Sequence, residues 1–436
     1  MERIAILAPP DRARDVMVRV ADAGTVEFDD GGAKPTPDAM VSSTPAHGHG
    51  PRHLVAGEAQ LRQRMETMIV RGEVSAIAGW TPADSVASLS ELLASVEGAV
   101  VVLPRPRGVE VPSLLRTGGI RGSFNPLTET YGAVPYRDVD PTPLAVGAFL
   151  LMFGMMFGDA GHGVLLLAIA MALAFWPRLA RYRRAWPFAA GAGLMGICFG
   201  ILYGEFFGPT GVLPAVWLRP LERPIALMAA AVCVGAVLLA AALVVGTVNR
   251  FREAGRAAAL YSPSGIAGIA LLVGLATIAS GWYGRIAVVA VIGGVLTLAG
   301  ALLIFVGFVG EAGVLPAFVE LFDTVVGLGS NVASFTRLAA FGLTHAALGM
   351  VVWEGAHALW RQGAIGAAGA VAVFVGGNLL AFALEGLVVA IQTLRLEYYE
   401  LFSRVFDFPG RPFRPWHIPI ATEEVSPWPP GSSASR

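Results

Sequence analysis

Charge is scarce in this chain. Only 14% of its 436 residues are charged, while 55% are hydrophobic and the mean hydropathy is +0.63. Soluble domains average about 25% charged residues, so this sequence is built for a different solvent. Lysine is nearly missing: Lys34 is the only one, and arginine carries the remaining fixed positive charge. That bias reads as genome composition rather than mechanism. A net charge of −1 argues against a nucleic-acid binder with a broad basic face. The cysteines, Cys198 and Cys233, lie singly in apolar runs, so neither a disulfide framework nor a zinc-type pair is expected. Soluble-enzyme signatures are also missing. No GxxxxGK[ST] phosphate loop, HExxH or GxSxG occurs, so neither a nucleotide site nor a cofactor is expected.

What the chain does contain falls into unequal parts. Residues 1–137 read as a small α/β domain. A strand-like ERIAILAP leads into DRARDVMVRVADAG, whose apolar spacing and terminal Gly24 suit an amphipathic helix. A Gly/Pro/His-rich segment follows and gives an expected flexible loop over 30–55. His47, His49 and His53 within it have no acidic or cysteine partner at helical spacing, which favours a loop over a metal site. SAIAGWTPADSVASLSELLASVEGAVVVLPRP then reads as strand, turn, helix and strand. The opening MERIAILAPPDRARD is too short in apolar residues for a secretory signal, so the chain's start is expected in the cytoplasm.

From Thr142 the composition changes. Apolar runs long enough to cross a bilayer fall at about 142–157, 161–177, 187–206, 224–249, 263–283, 285–309, 322–361 and 365–406. The expected fold is a polytopic α-helical membrane protein with about eight transmembrane helices over 138–410, a small N-terminal α/β cytoplasmic domain, and a cytoplasmic tail over 411–436. Arg-rich PRLARYRRAW and NRFREAGR follow the second and fourth spans, and SRVFDFPGRPFR follows the last. With a cytoplasmic N-terminus this bias agrees with the positive-inside rule. The link EAGVLPAFVELFD is acidic and gives no support. The last two segments are each close to 40 residues, so they must tilt, break or project beyond the membrane.

Polar residues inside these runs carry the functional argument. An arginine at mid-bilayer costs between about 3 and about 17 kcal/mol, yet Arg337 stands in SNVASFTRLAAFGLTHAALGMVVW. Ser330, Ser334 and Thr344 recur around it at helical spacing and suit a close partner helix. In the last segment Asn378, Glu385, Gln392 and Arg395 succeed one another at intervals of 7, 7 and 3 residues. At about 100° per residue they share an arc of roughly 100°. Two apolar helices bearing arginine and further polar groups point to an ion path, against a snorkelling anchor or plain helix–helix contacts. His345 lies on a face neighbouring Arg337, suited equally to buried hydrogen bonding and to lining that path. Glu205, in GILYGEFFG, is a water-facing acid or an interfacial anchor, and Asp159 and His162, in FGDAGHG, suit a turn at least as well as chemistry.

In this order the residues resemble the a/I subunit of rotary V-type and archaeal A-type ATPases, the membrane stator facing the rotor ring. The likeness runs through GWTP at 79–82, FNPLTETYGAVPYRDVDPTP, FGMMFGDAGHG, GILYGEFFG, SFTRLAAFGLTHAAL and LEGLVVAIQTLRLEYYELF. It implies that Arg337 is the essential arginine of the penultimate helix and Arg395 the second arginine of the last one. Glu385 and His345 match polar positions of the family. Gln392 stands where some members have histidine, and an amide cannot relay a proton by titrating. The implied partners are a proteolipid ring with mid-membrane carboxylates, peripheral-stalk subunits, a central-stalk socket subunit and the bilayer, at the plasma membrane with both termini cytoplasmic. Members carry long cytoplasmic helical hairpins; only about 137 residues precede the membrane part here, leaving the stalks a shortened contact or none.

Under that resemblance the chain is a non-catalytic subunit coupling H⁺ or Na⁺ movement to ATP hydrolysis or synthesis. The rivals are a secondary ion-coupled transporter, for which no inverted repeat is visible, and a non-transporting membrane scaffold.

Overall fold

The computed structural model describes residues 1–29, 51–105, 109, 111–114, 135–406 and 410–417. They form two compact units, one of residues 1–114 with those from 410 onward, the other of the stretch between.

The first unit is α/β. Strands β1 (Glu2–Ala8), β2 (Glu27–Phe28), β3 (Ile69–Arg71), β4 (Val74–Thr81) and β5 (Ala99–Leu103) form one sheet of order β2-β4-β1-β5, with β3 also on β4. All pairings are antiparallel. Alternation along β1 turns Ile4, Ile6 and Ala8 inward, against Val16, Met17 and Val20 of α1 (Ala13–Ala23). Gly24 ends α1 at φ +56°, the left-handed position a glycine takes without a Cβ penalty. Trp80 of the GWTP stretch is fully buried, and its Nε1 donates to Asp29 at 2.8 Å, while Arg3 pairs with the same carboxylate at 2.9 Å. Of the expected loop over 30–55, residues 30–50 lie outside the described residues. From Pro51 the chain is already helical, in α2 (Pro51–Glu66). Helix α3 (Val86–Ala94) supplies the expected helix after β4.

Residues 410–417, of which 411–417 are expected in a separate tail, run along this unit. The backbone N–H of Trp416 donates to the Val26 carbonyl at 2.7 Å and its ring meets Phe28 edge-on at 5.2 Å. Glu27 accepts from Arg411 and from the Arg414 backbone N–H.

The second unit is helical. Its elements are α4 (Thr142–Met156), α5 (Ala160–Phe175), α6 (Trp186–Tyr203), α7 (Pro224–Ala254), α8 (Arg256–Tyr261), α9 (Ile266–Tyr283), α10 (Ala287–Ala312), α11 (Val314–Ser334), α12 (Thr336–Trp360) and α13 (Ala364–Leu396). A π-helical turn, Glu397–Phe402, and a short turn, Ser403–Val405, extend α13. Among the described residues six helical stretches are long and apolar enough to cross a membrane, and α4 and α5 are shorter apolar helices of 15 and 16 residues. The chain is a polytopic helical membrane protein with a small N-terminal strand-containing unit.

The seventh stretch begins earlier than expected. EAGVLPAFVELFD is helical from Val314, so α11 and α12 together span 47 residues and part only at Phe335. Phe335 is fully buried against Gly235 of α7, where any Cβ would overlap its ring. The glycine thus lets α7 approach the point where the long segment turns, which positions Arg337 in the first turn of α12.

Candidate functional site

The polar residues named in the sequence separate into two groups on α12 and α13. Arg337 and His345 are eight residues apart on α12, a rise of about 12 Å.

In the first group, Arg337 Nη1 lies 3.4 Å from Glu400 Oε1. The arginine side chain is 32% exposed and that of Glu400 only 7%. The pair is therefore anchored on the acid and open on the cation. Ser334, in the last turn of α11, sits beside the same carboxylate. Glu400 faces inward because the π-turn rotates the chain after Leu396, bringing both Glu397 and Glu400 to the buried side. Glu397 is fully buried, and neither of its carboxylate oxygens has a hydrogen-bond partner among the described residues. Arg395 faces outward at the end of α13, and Gln392 is half-buried with its amide oxygen unpartnered. Along the expected polar arc, Asn378, Glu385 and Gln392 turn inward while Arg395, at the arc's edge, turns out.

The second group is more enclosed. His345, 5% exposed, uses Nδ1 to contact Glu385 Oε2 of α13, and its Nε2 lies 4.0 Å from Asp159 Oδ2. Asp159 is fully buried at the start of α5. Its Oδ1 accepts from the backbone N–H groups of His162 (2.9 Å) and Phe207 (3.0 Å), and its Oδ2 from Gly208 (2.8 Å). Phe207 holds φ +52°, which costs a non-glycine residue roughly 1–2 kcal/mol. That strain aims consecutive N–H groups at one carboxylate. His162 is 2% exposed, its ring 5.4 Å from that of His345, and neither ring nitrogen makes a hydrogen bond of normal geometry. Phe157, Phe207 and Phe382 wall the group. Glu205, 4% exposed, follows α6 nearby and keeps one unpartnered oxygen. Asn378 is buried and donates to the Phe374 carbonyl of its own helix at 2.8 Å.

Sequence reasoning thus named both ends of the His345–Glu385 contact and the Arg337 half of its pair. It missed Glu397 and Glu400, whose signal is a pair of acids just beyond Arg395 in an otherwise apolar run. It left Asp159 and His162 open between a turn and chemistry. Asp159 does shape a turn, as the N-cap of α5, but it also faces His345.

A bundle of apolar helices holding arginine, histidine and buried acids defines a multi-pass membrane protein with polar groups gathered inside the bundle. A sequence model of the V-type ATPase 116kDa subunit family matches residues 50–209. The A-type ATP synthase subunit I of Pyrococcus horikoshii is 25% identical over 375 residues, covering 82% of this chain and 56% of that protein. Its namesake from Aeropyrum pernix is 27% identical over 415 residues, covering 81% and 58%. The human V-type proton ATPase 116 kDa subunit a 3 is 34% identical over 121 residues, covering 24% and 14%. These comparisons make the chain similar to the subunits a and I of V/A-type ATPases. It spans a little over half the length of these archaeal relatives.

Proposed function

We propose that this chain is the membrane stator subunit of a rotary V/A-type ATPase, which moves H⁺ or Na⁺ past a ring of proteolipid subunits as ATP is hydrolysed or made. The observation that carries this reading is the Arg337–Glu400 pair at the break between α11 and α12. A rotor carboxylate stays neutral, protonated or Na⁺-bound, while it faces lipid, since a bare charge there is costly. Beside Arg337 its ionised form is favoured and it releases the ion. Arginine suits the task because it stays charged at every physiological pH. Its one-third exposure leaves it open to an incoming carboxylate, while Glu400 holds it from the buried side.

Acids run along the last helical segment from Glu385, beside His345, through Glu397 to Glu400, beside Arg337. They support an aqueous half-path that ends at Arg337, where the arginine blocks a direct leak to the other half-path. Glu205 and Asn378 extend the His345 side, while Gln392, Arg395 and Ser334 belong to the arginine's surroundings. The partners on this reading are the proteolipid ring, the peripheral stalks and the central-stalk socket subunit, in the plasma membrane with cytoplasmic termini.

The test is ATP-driven ion uptake into vesicles carrying the assembled complex. Arg337→Ala is expected to abolish uptake while the complex still assembles with its ring. Arg337→Lys is expected to lose most of it, since an ammonium lacks the guanidinium's planar fork. Uptake at the parent rate in Arg337→Ala would overturn the assignment.

A further inference from the structure

The Asp159–His162–His345 group has an organisation that ion passage alone does not require. The side-chain donor atoms of these three residues lie within 4.8 Å of one another, and all three residues are buried. A carboxylate with imidazoles is a donor set suited to zinc and its first-row neighbours. Bond lengths of about 2.0–2.2 Å place such donors about 3.4 Å apart around a tetrahedral ion, so the most widely spaced donors need to draw in by up to about 1.4 Å.

Further features favour a cation here. His345 engages Glu385 through Nδ1, which turns Nε2 toward Asp159. That is the carboxylate–histidine arrangement that fixes a ligand's orientation from outside the ligand set. His162 is buried with both ring nitrogens free of normal hydrogen bonds, an arrangement that costs stability unless something binds them. Asp159 is pinned by its backbone donors and cannot swing away to solvent. Charge points the same way: Asp159, Glu205 and Glu385 are gathered in one interior, and among the described residues the ion pairs of Asp159 and Glu385 are with histidine alone. A buried positive charge balances such a group.

We propose that Asp159, His162 and His345 form a binding site for a divalent transition-metal cation of the zinc class, with Glu385 positioning His345. Binding itself does not depend on the ion-path reading. Only its consequence does: an ion held there occupies the His345–Glu385 side of the path and slows transport.

Co²⁺ serves as the probe, because its visible d–d bands distinguish a tetrahedral protein site from the hydrated ion. The full chain in detergent is used with His47, His49 and His53 replaced by alanine, which removes the other histidine cluster. The expected result is a tetrahedral cobalt spectrum saturating near one equivalent and bleached by Zn²⁺. His162→Gln should abolish it, and Glu385→Gln should weaken binding by about 10- to 100-fold, as loss of an outer-shell partner does. His162→Cys guards against a merely misfolded variant: it should keep the tetrahedral bands and add a thiolate-to-cobalt charge-transfer band missing from the parent. A spectrum of hydrated cobalt in the parent, or one indifferent to His162→Gln with no charge-transfer band in His162→Cys, overturns the site. Inhibition of ion uptake by Zn²⁺, relieved in His162→Gln, reports separately on the path. If cobalt binds and uptake is unaffected by Zn²⁺, the metal site stands and the ion-path reading of His345 falls.

Discussion

Arg337 and Glu400 differ in burial, and that difference assigns their work. Glu400 is held in the π-turn with a side chain 7% exposed, so its position is fixed by the fold. Arg337, a third exposed, is open on its outer side. A contact of 3.4 Å is long for a charge-assisted hydrogen bond, which leaves the guanidinium free to exchange one carboxylate for another. Glu400→Gln keeps the side chain's size but removes its charge, so Arg337 loses its standing partner and dwells longer on each rotor carboxylate. Weakening of this step by about 1.4 kcal/mol is a tenfold change in rate. Ion uptake in Glu400→Gln is thus expected to fall about tenfold without vanishing, measured beside the null Arg337→Ala. An unchanged rate means that α12 alone positions the arginine.

At the level of elements, α12 begins where it does because of a residue on another helix. Phe335 closes the break between α11 and α12, and Gly235 of α7 is the surface it packs on. Gly235→Val adds volume to a fully packed contact, which costs about 1–3 kcal/mol through forced side-chain and backbone shifts. The expected outcome is a lower thermal midpoint of the purified chain together with impaired ion uptake, because the displaced Phe335 lies two residues before Arg337. Normal uptake in a destabilised Gly235→Val chain would separate the break from the arginine's function.

The same element shows what the sequence could and could not convey. Arg337 and Glu385 stood out because charge is rare in an apolar run and its cost has only a few remedies. The last two helices were legible for the same reason, as was β1 from its alternation and α1 from Gly24. The Phe335 break carries no proline or glycine of its own; its cause lies a hundred residues away at Gly235, a long-range contact that no local pattern encodes. Glu397 and Glu400 sit about a helix turn past the expected polar arc, and only the π-turn brings them inward. His162 and Asp159 stay undecided between a turn and chemistry in the sequence because nothing in FGDAGHG announces that His345, far along the chain, closes on them.

Across the membrane unit as a whole, one end of the bundle is tied by a polar lock whose strength depends on pH. The Val139 N–H donates to Asn249 Oδ1 at 2.9 Å, and Asn249 Nδ2 donates to the Val405 carbonyl at 3.2 Å. These bonds join the approach to α4, the end of α7 and the end of the last helical segment. Beside them, burial first and then the neighbouring Glu253 carboxylate push Asp138 up from 3.8 to about 7, with Arg250 and Arg252 opposing. In the folded chain Asp138 therefore keeps its proton to near neutrality, whereas the unfolded chain loses it near pH 4. Between those limits the folded state binds more protons, so stability falls as pH rises through that window and levels off above about pH 7. Asp138 is partly open to solvent, so screening reduces the effect well below that of a fully enclosed pair. The thermal midpoint of the purified chain is expected to drop between about pH 4 and about pH 7, and Asp138→Asn should flatten that drop while raising the midpoint at the upper end. A drop of equal size in Asp138→Asn places the sensitivity elsewhere in the bundle, away from this lock.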